Sequence, residues 1–573
     1  MNKLLPFVIT VMAGLIILLR FFQLGTIPQG IHADEASYGY DAYSLLKTGR
    51  DQWGQAWPLS FKSFGDYKLN LPYLIIPAIK LVGLTTTATR LPSAIFGLLT
   101  VIVLYLTLQL FRRSPILNGF LTLIFATSPW AFGISRLFFE SNVALFFYTA
   151  GMYSMVRAIH TQRIDRIYYL GIILFSLAGY FYAPLRFIGL ATVILGLCYT
   201  RLAVVKTIIL YLLVALPILS QFFSGVGLTR LNQESSLRAF EYSLVINENR
   251  DFCYQSLNHN PLLTKACYLY WNKPLMRIEA VIQTIFAEFS PHYLFLESAD
   301  NYIVPPSTGP YLYYLLPLFL LGALALFMSK QRFFFIFFFV ALAVAASAAK
   351  VSLYRNTVGL YLAFFPIAAG FYFILDYCRS RLPDLTKPLM LAFVLISLFF
   401  QSRYLAHYFL VYSRSTTFAW SADAEYIARY IGKVSNEYRT VIDKSAGDFG
   451  PLYVIFYNVY DPKIVQSRAE WTTGDPRGWT RIGKLGNIAS ADPRTIRDLI
   501  CEKASAPQDD LSALYITFPL EDYSRFADQV TRDWRDTKTI HEIYDIDSLF
   551  SQLMSDNPAN LTRLCPIETA RWK

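Results

Sequence analysis

Long apolar runs joined by short basic connectors constrain this chain more than any other feature. Each run is about 20 residues, the length that crosses ~30 Å of hydrocarbon. Windows of that size place spans near 4–22, 91–111, 115–134, 140–156, 167–183, 184–200, 205–223, 311–328, 332–349, 357–376 and 388–406, which makes eleven. The pair 167–183 and 184–200 is short and split at Ala183-Pro184, so two full spans and one broken or re-entrant segment both remain open. Only 16% of residues are charged, where soluble domains approach a quarter, and 46 Phe and 39 Tyr crowd the apolar runs. A purely soluble protein is excluded.

The net charge of +11 gains meaning from where the basic residues fall. Alternate connectors carry Arg112 and Arg113; Arg157, Arg163 and Arg166; Arg201 and Lys206; Lys330 and Arg332; then Arg379, Arg381 and Lys387. Cytoplasmic loops are expected to hold such residues. The N-terminus is then cytoplasmic, and 23–90, 224–310 and 407–573 lie outside together with the turns at 135–139, 183–186 and 350–356. A plasma membrane is the expected location, with no nucleic-acid partner. The first run is followed by Gln23-Leu-Gly-Thr-Ile-Pro rather than a cleavage pattern, so it reads as a retained span. Of six cysteines, Cys253 and Cys267 share one external loop and Cys501 and Cys565 share the C-terminal segment. Four external cysteines allow three pairings or four free thiols; one of the three pairings closes a bridge within each segment.

Between the first two spans the sequence turns polar. Residues 33–47 read as an amphipathic helix with Ala42, Leu45 and Leu46 on one side and Asp34, Ser37 and Asp41 on another, suited to a membrane interface. The piece 71–83, holding Pro72 and Pro77, is too short to span. In the loop 224–310 a helix is expected at 275–289. Beyond about 412 charge becomes frequent; a helix at 420–434, β-rich stretches at 440–443, 452–457 and 513–518, and a helix at 520–534 together indicate a small soluble α/β domain. The expected division is therefore a membrane domain over 1–406 and an external α/β domain over 407–573.

Asp34 and Glu35 are adjacent carboxylates just after the first span. A carboxylate there can act as a general base on an acceptor hydroxyl; the structural alternative is a solvated helix start. Lys68, Arg90, Arg136, Glu140, Arg186 and Arg355 all fall on external segments. Cations gathered at one membrane face suit a lipid phosphate, which Arg and Lys hold by charge-assisted hydrogen bonds; interfacial snorkelling is the alternative for each. His32 stands alone, and no His/Asp cluster has metal-ligand spacing, so a divalent metal is possible but not indicated.

The ordered set Pro28-Gln-Gly-Ile-His-Ala-Asp-Glu, Phe64-Gly-Asp-Tyr-Lys, Arg90-Leu-Pro-Ser and Ser128-Pro-Trp-Ala-Phe-Gly-Ile-Ser-Arg, with Glu140 following, resembles the C-superfamily (GT-C) of integral-membrane glycosyltransferases. Within it the likeness is to the branch of protein O-mannosyltransferases and the aminoarabinose transferase acting on lipid A, over roughly 1–375. The resemblance implies a GT-C fold and a polyprenyl-phosphate sugar donor. It implies that Asp34 is the catalytic carboxylate with Glu35 its neighbour, that Lys68 and Arg355 contact the donor phosphate, and that Arg136 and Glu140 occupy the second external loop. Leu69-Asn70-Leu71-Pro72 replaces the family's Pro-Pro pair, and Glu140 stands where Asp is usual. The expected activity is inverting transfer to a protein, lipid or envelope glycan, with no cofactor required. The rival is a lipid or sugar transporter or flippase, folds that usually show related halves, whereas no internal repeat is found in this sequence. An oligosaccharyltransferase is disfavoured because Trp471 and Trp479 stand singly rather than in a Trp-Trp-Asp signature.

Overall fold

The computed structural model describes residues 4–573 except 65, 69–70, 201–202, 224–228, 258–260, 298–302, 330–337, 343, 345–350, 413–419, 447–448, 473–479, 506–511, 518–523, 525–526, 533–538, 557–564 and 566–573. The described chain forms two compact units. The first comprises Met1–Leu24, Leu69–Leu71 and Arg90–Phe409; the second comprises Gly25–Lys68, Pro72–Thr89 and Leu410–Lys573. The boundary expected at 406 falls at 409, and the polar stretch after the first helix belongs with the C-terminal region rather than with the membrane part.

The first unit is helical. Its apolar segments form helices Leu4–Phe21, Pro115–Ala126, Pro129–Ser135, Glu140–Thr161, Arg166–Phe181, Pro184–Thr200, Val204–Phe223, Leu316–Met328, Thr357–Arg381 and Pro383–His407, together with most of Thr86–Phe111. Thr86–Phe111, Thr357–Arg381 and the helical stretch Pro383–Tyr412 are long and apolar enough to cross a membrane. Among the described residues, Pro115–Ala126 and Pro129–Ser135, bent by 65°, make a fourth if they count as one span. The bend falls where Pro129 removes a backbone donor and starts a new helix. Tyr182 and Ala183 likewise break the 167–200 stretch into two helices. Most of the window 332–349 lies outside the described residues. The connecting segment 224–310 holds the helix expected at 275–289, as Lys273–Phe289, and also helices Thr229–Ser256, Pro261–Tyr270 and Pro291–Phe295.

The second unit is built on a mixed seven-stranded sheet. Two short strands, β1 (Phe61–Ser63) and β2 (Asp66–Lys68), form a separate hairpin. The sheet runs β4 (Ala469–Thr472), β5 (Arg481–Leu485), β6 (Ile488–Ala489), β3 (Thr440–Asp443), β7 (Ala513–Thr517), β9 (Thr539–Asp545), β8 (Gln529–Arg532). The central β3 is parallel to β6 and β7, and the outer pairings are antiparallel. One face is sealed by Leu499 and Ile500 of helix Ile496–Ser505 and Leu549 and Leu553 of helix Ile546–Asp556, packed with Ile442 and Tyr515.

Three expectations change here. Residues 452–457 are not a strand but part of helix Gly450–Tyr457, buried on every side, so its continuous apolar run carries no period that separates strand from helix. Pro451 in its first turn pre-sets the helical φ. Within the helix expected at 520–534, Gln529–Arg532 is instead strand β8, where β-branched Val530 and Thr531 suit the pairing with β9. Helix Ala33–Thr48 forms as expected but does not lie with one face in an interface: Ser37, Asp41 and Ser44 are buried along with Ala42 and Leu45. Protein groups meet part of the hydrogen-bonding capacity of these polar side chains, while Asp41 Oδ2 is buried with no hydrogen-bond partner among the described residues. The Gln52 backbone N–H donates to Asp41 Oδ1 at 3.0 Å and its side chain to Ser37 Oγ at 3.0 Å. Gln466 Nε2 reaches Ser44 Oγ and Thr48 Oγ1, each at 3.0 Å.

Candidate active site

Helix Ala33–Thr48 starts with a reciprocal cap. His32 is extended (φ −71°, ψ 151°), and its Nδ1 accepts from the Asp34 backbone N–H at 3.2 Å. Glu35 Oε2 accepts from the His32 backbone N–H at 3.1 Å. Two of the N–H groups that every helix start leaves without intrahelical partners are met in this way. The two adjacent carboxylates are thereby separated in role. Glu35 is 2% exposed and closes the cap, whereas the Asp34 side chain keeps 29% exposure, 3.8 Å from His32 Nδ1. An anion at this end of a helix is stabilised by the helix dipole.

Within the same unit the C-terminal region surrounds this helix start. Gly30, at φ +85°, lets the backbone pass against the Trp420 carbonyl, where a Cβ would collide. The Trp420 ring lies 6.0 Å from that of His32, edge to face. Tyr453, buried, donates its hydroxyl to Ser421 Oγ at 3.2 Å. Burial, and then the negative charge of Asp34, Glu35 and Asp423, pushes the Tyr453 phenol up, so it stays protonated. Lys68 closes β2 opposite Phe61, and its side chain lies outside the described residues. Trp471 stacks on Trp53 at 3.4 Å between ring centroids, with Lys62 Nζ 4.3 Å from the Trp53 centroid; Trp479 lies outside the described residues.

The first unit holds the other candidates. Arg136 is fully buried, and its guanidinium is a cap for helix Leu4–Phe21. Nη1 donates to the Leu19 and Arg20 carbonyls at 2.7 and 2.9 Å, and Nη2 to those of Phe22 and Gln23 at 2.8 and 3.4 Å. Arg90 Nη1 adds a bond to the Leu24 carbonyl at 3.3 Å. Arg186 is buried with Nε on the Gly179 carbonyl at 3.2 Å. Arg355 is half-buried, its Nε donating to the Tyr354 hydroxyl at 3.2 Å. Tyr354 stacks on Phe139 at 5.7 Å with planes 8° apart, which brings the turns 135–139 and 350–356 together beside Glu140, first residue of helix Glu140–Thr161.

Two groups escaped the sequence analysis. Glu288 is fully buried and accepts the Ser352 backbone N–H at 3.3 Å, fixing the turn that carries Arg355. Its position in the last turn of helix Lys273–Phe289, where the dipole disfavours an anion, was a usable signal. Tyr453 and Ser421 had none, being single hydroxyls without characteristic spacing. Both cysteine pairs are bridged, Cys253 to Cys267 and Cys501 to Cys565, with Cα separations of 6.0 and 5.6 Å. Cys198 and Cys378 are free.

Residues 11–223 match the family model for dolichyl-phosphate-mannose-protein mannosyltransferase. That match supports, over the segment it covers, the resemblance to integral-membrane glycosyltransferases of the C-superfamily. Among solved structures the chain is similar to ArnT from Cupriavidus metallidurans. With the form bound to undecaprenyl phosphate it shares 11% identity, covering 93% of this chain and 97% of that one, with a TM-score of 0.46. With the apo form the identity is 11%, the coverage 94% and 98%, and the TM-score 0.40. No curated protein matches the chain.

Proposed function

We propose that the chain transfers a glycosyl group from a polyprenyl-phosphate-linked sugar to an acceptor at the external membrane face. The observation that carries this reading is the division between Asp34 and Glu35, which leaves one carboxylate accessible at a helix start while the other holds that start together. The name of the family matched over 11–223 specifies a sugar carried on a polyprenyl phosphate, and it supports the same donor class here. Asp34 takes the proton from an acceptor hydroxyl, the acceptor oxygen bonds to the anomeric carbon, and the bond from that carbon to the phosphate oxygen breaks with inversion. Lys68 offsets the charge that develops on the departing polyprenyl phosphate. Arg355 and Arg186 are further proposed phosphate contacts, and Glu140 a second-loop carboxylate. The scheme requires no cofactor. The two disulfides support an oxidising, extracytoplasmic setting for the segments that hold them, and a plasma membrane is the proposed location.

Purified protein incubated with radiolabelled polyprenyl-phosphate sugars and host membrane extract tests the reading. Label is expected to move from one donor into an acceptor. Donor that binds but never releases its sugar, whichever sugar is offered, would point to a lipid-handling transporter.

A further inference from the structure

The C-terminal region reads in the sequence as a separate domain of open role, yet it encloses the helix that carries Asp34. The close approach is built in: a Cβ on Gly39 would lie 2.8 Å from the Phe456 ring, and the Tyr40 hydroxyl donates to the Tyr460 carbonyl at 3.1 Å. The hydroxyl pair Ser421–Tyr453 belongs to the segment that packs on this helix start, since Trp420 and Ala422 on either side of Ser421 lie against Gly30 and the Trp420 ring lies 6.0 Å from that of His32. Ser421 is held in the left-handed region at φ +46°, a conformation that costs a non-glycine residue free energy and persists where surrounding structure enforces it.

Next to Ser421 in the chain begins a series of polar contacts. Asp423, two residues on, places its Oδ2 against Nδ1 of the buried His541, whose Nε2 lies 2.9 Å from the Ser445 carbonyl. A carbonyl only accepts, so a hydrogen bond there uses a hydrogen on Nε2. Ser445 is itself held by the buried Asp443, which accepts from its backbone N–H at 3.0 Å and its hydroxyl at 2.6 Å. Buried polar networks of this kind are poor sources of stability and good at fixing one geometry.

We propose that the Ser421–Tyr453 hydroxyl pair, clamped by Asp423 and His541, is the acceptor side of the site and orients the acceptor hydroxyl toward Asp34. The inference rests on Asp34 being the base. Tyr453 is the positioning residue: by donating to Ser421 Oγ it turns the Ser421 O–H away from itself, leaving that hydrogen for the acceptor oxygen. The acceptor class that fits is a hydroxyl-bearing one.

Ser421→Gly and Tyr453→Phe test this in the full-length protein. Glycine removes the hydroxyl and relieves the φ, so its fold is expected to be at least as stable, and phenylalanine keeps the buried ring. Each variant is expected to lose about tenfold in label transfer to titrated membrane extract, the scale of one lost hydrogen bond. Binding of undecaprenyl phosphate and the melting midpoint should be retained, and the double variant should be no worse than either single one. Asp34→Asn runs alongside. If it is inactive while Ser421→Gly and Tyr453→Phe transfer at the wild-type rate, this proposal alone fails. If Asp34→Asn is itself active, the base assignment fails and takes this proposal with it.

Discussion

Glu35 folds back onto the backbone N–H of His32, with Oε2 3.1 Å from that nitrogen, a contact that closes the start of helix Ala33–Thr48. Glu35→Gln keeps an acceptor of the same reach and should retain both stability and transfer. Glu35→Ala opens the cap and should lower stability by about 1 kcal/mol, read from thermal or denaturant unfolding. Transfer lost in Glu35→Gln with the fold intact would return Glu35 to the catalytic pair.

Arg136 gives the complementary case. Its fork meets four carbonyls at the end of one helix, a geometry that a lysine ammonium cannot reproduce. Arg136→Lys should therefore destabilise the protein by roughly 1–3 kcal/mol. Undecaprenyl phosphate should bind the folded fraction as tightly as before. Weaker binding at unchanged stability would instead mark Arg136 as a phosphate ligand.

Lys68 should behave in the opposite way. Replacing it with alanine removes one charge-assisted contact to the donor phosphate, equivalent to about ten- to hundredfold in affinity. Titration of the solubilised variant with undecaprenyl phosphate measures this; affinity equal to wild type would remove Lys68 from the site.

Stability should depend on pH through Asp41. Burial first, then the nearby Asp51, raises its pKa well above the ordinary carboxylate range, against hydrogen bonds from Gln52 that lower it. A carboxyl raised in the folded state holds its proton more tightly there than in the unfolded chain. Its contribution is whole below the unfolded value and declines as pH rises through the folded one. The wild-type melting midpoint should thus fall as pH rises above the unfolded carboxylate value of about 4, and the neutral variant Asp41→Asn should fall less. Asp51, raised in the same direction, leaves some slope in the variant. Equal slopes would show that Asp41 does not titrate in that window.

The apolar helices were legible because hydropathy over a span-length window is a local property. Helix Ala33–Thr48 was legible too, but its surroundings were not. The partner that buries its polar face includes Gln466, 422 residues from Ser44, and no local pattern announces a contact at that distance. For the same reason no local pattern shows that 25–68 groups with the C-terminal region. Helix Gly450–Tyr457 was misread because complete burial erases the period that identifies a helix. Among candidate site residues, Asp34 was marked by its adjacent carboxylate, whereas the unequal fates of Asp34 and Glu35 depend on which one the His32 backbone recruits. Arg136 carried a real signal of burial near the membrane face, but its four carbonyl partners come from a helix over 100 residues earlier.

The most direct measurement is transfer by Asp34→Asn. The substitution preserves the size of the side chain and removes its ability to take a proton. The account predicts that label from the polyprenyl-phosphate donor used by wild type no longer reaches an acceptor, while undecaprenyl phosphate still binds and the protein still folds. Transfer at most of the wild-type rate would contradict it.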